Sequence, residues 1–169
     1  MGSESLCRIL YFCLCYQFRE NSKKEEKNMQ LRQIEMVREN FVRIAPHADD
    51  LATHFYNRLF TIDSSLRPML EDDLTEQKQK LIMMLEFAVE TLDRIEVFTP
   101  SLENLGRKNF DYGVRDEHYD AVGAAFFLTL RQMLGAEFTI EVETAWLETY
   151  WLVSGIMRRA GQQSIEVAA

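Results

Sequence analysis

A chain of 169 residues corresponds to one ordinary domain, since domains cluster at roughly 100–200 residues, and these residues leave no room for a second catalytic domain. Hydrophobic residues make up 47% and charged residues 27%, too apolar for a disordered chain and too charged for a multi-spanning membrane protein. The net charge is −8 and no basic stripe interleaves with aromatics, so nothing draws a phosphate backbone and nucleic acid is not an expected partner.

The first 28 residues differ from the rest: they carry +1 while the remainder carries −9, and they hold all three cysteines, Cys7, Cys13 and Cys15. No disulfide can therefore brace the main body, which fits a reducing, cytoplasmic setting. The apolar run from Ile9 to Tyr16 falls far short of the roughly 20 residues of a spanning helix. Its flanks do not suit a secretory signal either, with Glu4 ahead of it and no small-residue cleavage site after it. Gly2 resembles an acylation site, but Leu6 stands where that pattern wants Ser or Thr. Weak membrane association through Gly2, Cys7, Cys13 and Cys15 is the alternative to a plain tail. The expected organisation is a tail at 1–28, a domain at 29–161 and a short tail at 162–169.

From Ser3 to Leu105 there is no glycine, and the prolines, Pro46, Pro68 and Pro100, sit where apolar patterns break. Long helices with proline punctuation follow. Leu51, Phe55, Leu59 and Ile62 form one helical stripe, with Tyr56 and Phe60 on a second face. Asp63-Ser64-Ser65 starts a short helix. Leu81, Met84, Leu85, Ala88 and Leu92 form the next stripe, and Pro100-Ser101 marks the expected start of a helix near 101–110. Tyr119, Val122, Phe126, Leu130 and Met133 form another. The last runs through Val142, Trp146, Leu152, Val153, Ile156 and Met157. The alternation in Phe138–Val142 leads straight into helical spacing and opens that last helix. The fold class is all-α, and periodicity alone leaves the arrangement of six to eight helices open.

Particular strings narrow it. His54-Phe55-Tyr56-x-x-Leu59-Phe60, Gln77-x-x-Lys80-Leu81, Leu105-Gly106-Arg107-Lys108, Tyr112-Gly113-Val114-x-x-Glu117-His118-Tyr119-x-x-Val122-Gly123 and Ala145-Trp146-x-x-x-Tyr150 occur in one order. Together, over residues 36–160, the chain resembles bacterial single-domain haemoglobins and the haem domain of flavohaemoglobins. The resemblance implies a globin fold, a 3-on-3 helical sandwich with an N-terminal extension, and a haem or other tetrapyrrole pocket.

In that family the iron is held by a histidine directly after the Leu-Gly-Arg-Lys string; here Asn109 stands there. A carboxamide is a poor substitute for a neutral imidazole, because its nitrogen lone pair is delocalised and its oxygen is a hard donor. Leu70 stands where the family stacks a phenylalanine on the haem, and Gly161 where a glutamate supports the proximal tyrosine, here Tyr119. The other face is kept: Tyr56 and Gln77 match the residues that hydrogen-bond iron-bound oxygen, with Leu81 beside them. Without the resemblance, Tyr56 reads equally as a core residue and Gln77 as a solvated one.

The candidate cofactor-binding residues are thus Tyr56, Leu70, Gln77, Leu81, Asn109 and Tyr119, with no catalytic residue and no confident cofactor. His118 is a weak alternative metal ligand, since neighbours on a helix diverge by about 100° and Tyr119 facing the pocket turns it aside. His118, His54 and His47 read more simply as capping or exposed residues. Two functional readings follow. One is a globin-like module with impaired or absent haem ligation that binds a small apolar or tetrapyrrole ligand, or a regulatory protein, as a sensor. The other is a haem globin that binds oxygen or nitric oxide through an unorthodox axial ligand. Nitric oxide dioxygenase turnover would need an electron source, for which the sequence has no Gly-rich cofactor loop. A purely structural homodimer has no specific sequence support.

Overall fold

The computed structural model describes residues 30–70 and 74–168, with side chains through residue 163. The expectations for residues 1–28, including Gly2, Cys7, Cys13 and Cys15, lie outside the described residues. Among these, six α-helices are joined by short 3-10 turns: α1 at 30–44, α2 Ala48–Ile62, α3 Leu74–Thr91, α4 Ile95–Asp111, α5 Asp116–Leu134 and α6 Ile140–Ala168. No strand occurs among the described residues. No helix among them is long and apolar enough to cross a membrane.

The helix boundaries follow from local chemistry. Asp49 and Asp50 occupy the first turn of α2, where carboxylates offset the helix dipole. Asp63 then ends α2 and caps the 3-10 turn Ser64–Met69, its Oδ1 accepting from the Ser65 backbone N–H at 3.0 Å. Gly135 closes α5 with φ +55°, a conformation that glycine adopts without penalty. At the start of α5 the Arg115 N–H donates to His118 Nδ1 at 3.0 Å while the His118 N–H donates to the Arg115 carbonyl at 3.1 Å. Two first-turn groups are satisfied reciprocally.

One boundary differs from the sequence expectation of a helix near 101–110. Pro100 lies inside α4, five residues past its start. A proline there withholds only the hydrogen bond to the Glu96 carbonyl, in an exposed first turn that water reaches. α6 runs through Ala168, and Gln162-Gln163-Ser164-Ile165-Glu166-Val167 contains no helix breaker.

The core comes in two parts. The larger gathers Val37, Leu51, Phe55, Tyr56, Leu130 and Trp146 with their neighbours, and α2 packs on α5 within it. Trp146 meets Phe126 edge-on at 5.6 Å between ring centroids. The smaller gathers Ala88, Phe98, Leu102, Tyr119, Ile156 and Met157, where α4 packs on α6. α3 is shared: Leu81 and Leu85 join the first part, Met84 and Ala88 the second. Arg38 ties α1 to the end of α3 through the carbonyls of Val89 at 3.2 Å and Glu90 at 2.9 Å.

Glycine decides the α4–α6 crossing. A Cβ on Gly106 would lie 2.2 Å from the Met157 carbonyl oxygen, and one on Gly161 3.2 Å from the Gly106 oxygen. The two backbones touch where no side chain fits. Ile62 and Leu152, read from periodicity as members of buried stripes, are 44% and 41% exposed. Ile62 is the last residue of α2, and Leu152 lies within α6 next to the exposed Trp151.

Candidate functional site

The expected site residues fall into two groups. Tyr56, on α2, is buried beside Phe55, with ring centroids 5.0 Å apart, and its hydroxyl donates to the backbone carbonyl of Gln77 at 3.2 Å. Burial pushes its pKa up to about 12, so the phenol stays a neutral donor at physiological pH. Leu70 and Leu81 are partly buried against the same core. Sequence reasoning aimed the phenol and the Gln77 amide together at one cavity. The structure instead engages the hydroxyl with the Gln77 main chain, an acceptor that no residue type reveals.

The second group lies where α4 meets α5. Burial raises the Tyr119 pKa, and a hydrogen bond from the Asn109 side chain draws it partly back. A bond that favours phenolate is one in which the amide N–H donates to the phenol oxygen. The Asn109 side chain thus lies beside the Tyr119 phenol. Tyr119 is in turn fixed on three sides: the Tyr150 hydroxyl donates to its backbone carbonyl, Arg158 sits 5.1 Å from its ring centroid, and Met157 and Leu102 pack beside it. The close approach of Tyr150 to α5 requires Gly123, where a Cβ would fall 2.9 Å from the Tyr150 ring. Sequence reasoning missed this Tyr150–Gly123–Tyr119 arrangement; its signal was a glycine in the middle of a helical stripe.

The histidines do not gather at this site. His118 is buried, with Nδ1 accepting from the Arg115 N–H and Nε2 4.0 Å from Asp63. Both ring nitrogens face these partners, which is the capping arrangement and leaves no lone pair for a metal. His54 Nε2 lies 3.4 Å from Gln132 Nε2 in a groove between α2 and α5, and His47 is exposed beside Asp50. Gly161 packs against Gly106 and Phe110, so the position expected to correspond to a glutamate is occupied by the approach of α4.

The globin family model matches residues 53–157. The flavohemoprotein of Bordetella parapertussis is 29% identical over 114 residues, which cover 66% of this chain and 28% of that protein. This chain thus spans less than a third of the length of that relative. Among solved structures, a bacterial globin from Campylobacter jejuni superimposes with a TM-score of 0.72 at 20% identity, covering 80% of this chain and 98% of that one. The flavohemoglobin of Malassezia yamatoensis, crystallised with bound FAD and haem, gives a TM-score of 0.66 at 17% identity over 78% of this chain and 36% of that one. The family match, the all-helical architecture and these superpositions agree on one conclusion: the chain belongs to the globin family.

Proposed function

We propose that this protein is a haem-pocket globin that takes a tetrapyrrole and, on the Tyr56 side, a small diatomic such as oxygen or nitric oxide, without an imidazole from α4 on the metal. Family membership and the haem-containing Malassezia relative support the pocket. The residues present fit part of such a group. Buried Tyr56 supplies a neutral donor, and the partly buried Leu70, Leu81, Met84 and Leu105 supply apolar surface on α3, α4 and the turn before them. They do not fit iron ligation from α4: the side chain at 109 is a carboxamide, a poor donor to iron in place of an imidazole, and His118 is held in its cap.

Haem iron, when bound, supplies the site for the diatomic; every other feature derives from the chain. Tyr56 offers its proton toward that side, and the Gln77 carbonyl holds the hydroxyl until another acceptor competes. Haem held by apolar packing alone exchanges readily. Such a protein suits binding or sensing better than sustained oxygen carriage. The single observation that carries this reading is that α4 presents a carboxamide, Asn109, in place of an imidazole, while the His118 Nδ1 is engaged by the Arg115 N–H in its cap.

A titration of the purified chain with haemin, read from the visible spectrum before and after gel filtration, tests it. The expected result is a Soret band that forms and is then lost from the wild type, while Asn109→His retains it. A wild-type band as durable as that of Asn109→His would refute the reading. No band in the wild type, together with stable binding by Asn109→His, would favour a pocket serving another flat apolar ligand or a regulatory partner.

A further inference from the structure

A cavity of about 330 Å³ opens where α4, α5 and α6 meet, at the small end of the roughly 300–1,000 Å³ typical of ligand sites. Its lining includes the backbone of Gly106 and Gly161 and the side chains of Met157 and Tyr119, all buried. Gly106 and Gly161 contribute only backbone to this wall. The remaining lining carries both signs of charge: Arg115 and Arg158 against Asp116 and Glu117.

The charged groups are held in place. Arg115 Nη1 donates to the carbonyls of Phe110 at 3.1 Å and Val114 at 3.0 Å, and its guanidinium sits 4.5 Å from the Phe110 ring centroid. Arg158 is tied to Asp120 at 2.5 Å and lies over Tyr119. Asp116 accepts from Gln162 at 3.3 Å, joining α5 to α6. Stacked and tethered guanidiniums lose little further entropy on meeting a carboxylate. A purely anionic ligand would meet Asp116 and Glu117, and a purely cationic one Arg115 and Arg158. An apolar interior with charges of both signs complements a small zwitterion with an apolar body.

We infer that this cavity is a binding site for a free α-amino acid with an aromatic or branched side chain, the carboxylate facing Arg115 and Arg158, the ammonium facing Asp116 and Glu117, and the side chain lying against Tyr119 and Met157. Occupancy bears on Asn109 through Tyr119, which forms one wall and lies beside the Asn109 side chain.

Calorimetric and NMR titrations of the haem-free full chain with L-phenylalanine, phenylacetate and phenethylamine test this. Phenylalanine is expected to bind with one-to-one stoichiometry and to shift the side-chain amide signal of Asn109. The two single-charge probes, each lacking one charge-assisted contact, are expected to bind about tenfold more weakly or worse. Arg115→Gln and Asp116→Asn, both at exposed positions, are expected to weaken phenylalanine similarly. Val114→Trp, which fills the cavity from a loop position, is expected to abolish binding, with circular dichroism confirming that each variant folds. Absence of phenylalanine binding at millimolar concentration, phenylacetate or phenethylamine binding as tightly as phenylalanine, or indifference to both charge variants would overturn the assignment. Because the titration uses no haem, its failure is separate from failure of the haem reading.

Discussion

Tyr150, on α6, donates its hydroxyl proton to the backbone carbonyl of Tyr119, on α5. That carbonyl belongs to the residue whose phenol lies beside the Asn109 side chain. Two tyrosines and one carboxamide from three helices therefore meet here.

Tyr150→Phe removes the donor and leaves the partly buried Tyr119 carbonyl short of a partner. The expected cost is about 1–2 kcal/mol, read as a lower urea midpoint with an unchanged slope. Haem retention is expected to change little, since Asn109 and the phenol of Tyr119 remain.

Alkaline stability follows from the buried phenols. Tyr56 ionises near 10.0 when exposed and is pushed up to about 12 by burial in the fold. Its folded-state pKa exceeds the unfolded one, so the contribution is fully present below about pH 10 and is lost as pH rises from there through about 12. Over that window the chain should lose about 2–3 kcal/mol from this residue. Tyr56→Phe should flatten the fall of urea midpoint with pH across the same range, and an unchanged slope would show that Tyr56 is not shielded.

Gly106→Ala places a methyl 2.2 Å from the Met157 carbonyl oxygen, and neither backbone can yield without separating α4 from α6. A loss of about 3 kcal/mol or more is expected, measured as a fall in Tm. Gly135→Ala is the contrast: no atom lies within 4 Å of its Cβ position, and only the backbone at φ +55°, ψ −123° opposes it, so a loss of about 1–3 kcal/mol from backbone strain alone is expected.

Asp63 carries the pH response at the acid end. Hydrogen bonds from the Ser65 hydroxyl and backbone hold its carboxyl below the usual range, with a smaller contribution from His118. The folded-state pKa is depressed, so the stabilisation is present above the unfolded value of about 3.8 and is lost as pH falls through the folded one. Carboxyl NMR of Ser65→Ala should show the Asp63 pKa moving upward. His118→Ala should leave most of that shift in place while weakening the start of α5 by about 1 kcal/mol.

Much of the fold is legible because burial leaves a periodic trace. Leu51, Phe55 and Leu59 recur at helical spacing and are all buried on α2. Pro100 misleads because a proline near a helix start is tolerated when the carbonyl it abandons is solvated. Ile62 and Leu152 mislead because apolar spacing shows which residues share a helix stripe and not whether a neighbouring element covers each of them. At the candidate site, the placing of Tyr56, Gln77 and Asn109 on α2, α3 and α4 follows from order along the chain. The pairing of Asn109 with Tyr119 joins positions ten residues apart on different helices, and the Gln77 carbonyl is main chain. Neither can be read from side-chain type. The α4–α6 contact at Gly106 and Gly161 is tertiary in origin, and only the presence of small residues hinted at it.

The most direct measurement is the rate at which haem-loaded protein surrenders haem to an excess of a high-affinity acceptor, compared between the wild type and Asn109→His. A carboxamide in place of an imidazole at 109 leaves the metal without a ligand from α4, so the wild type should lose haem at least about tenfold faster. Equal rates in the two proteins would contradict this, because iron would then be gripped without any need for a ring nitrogen at position 109.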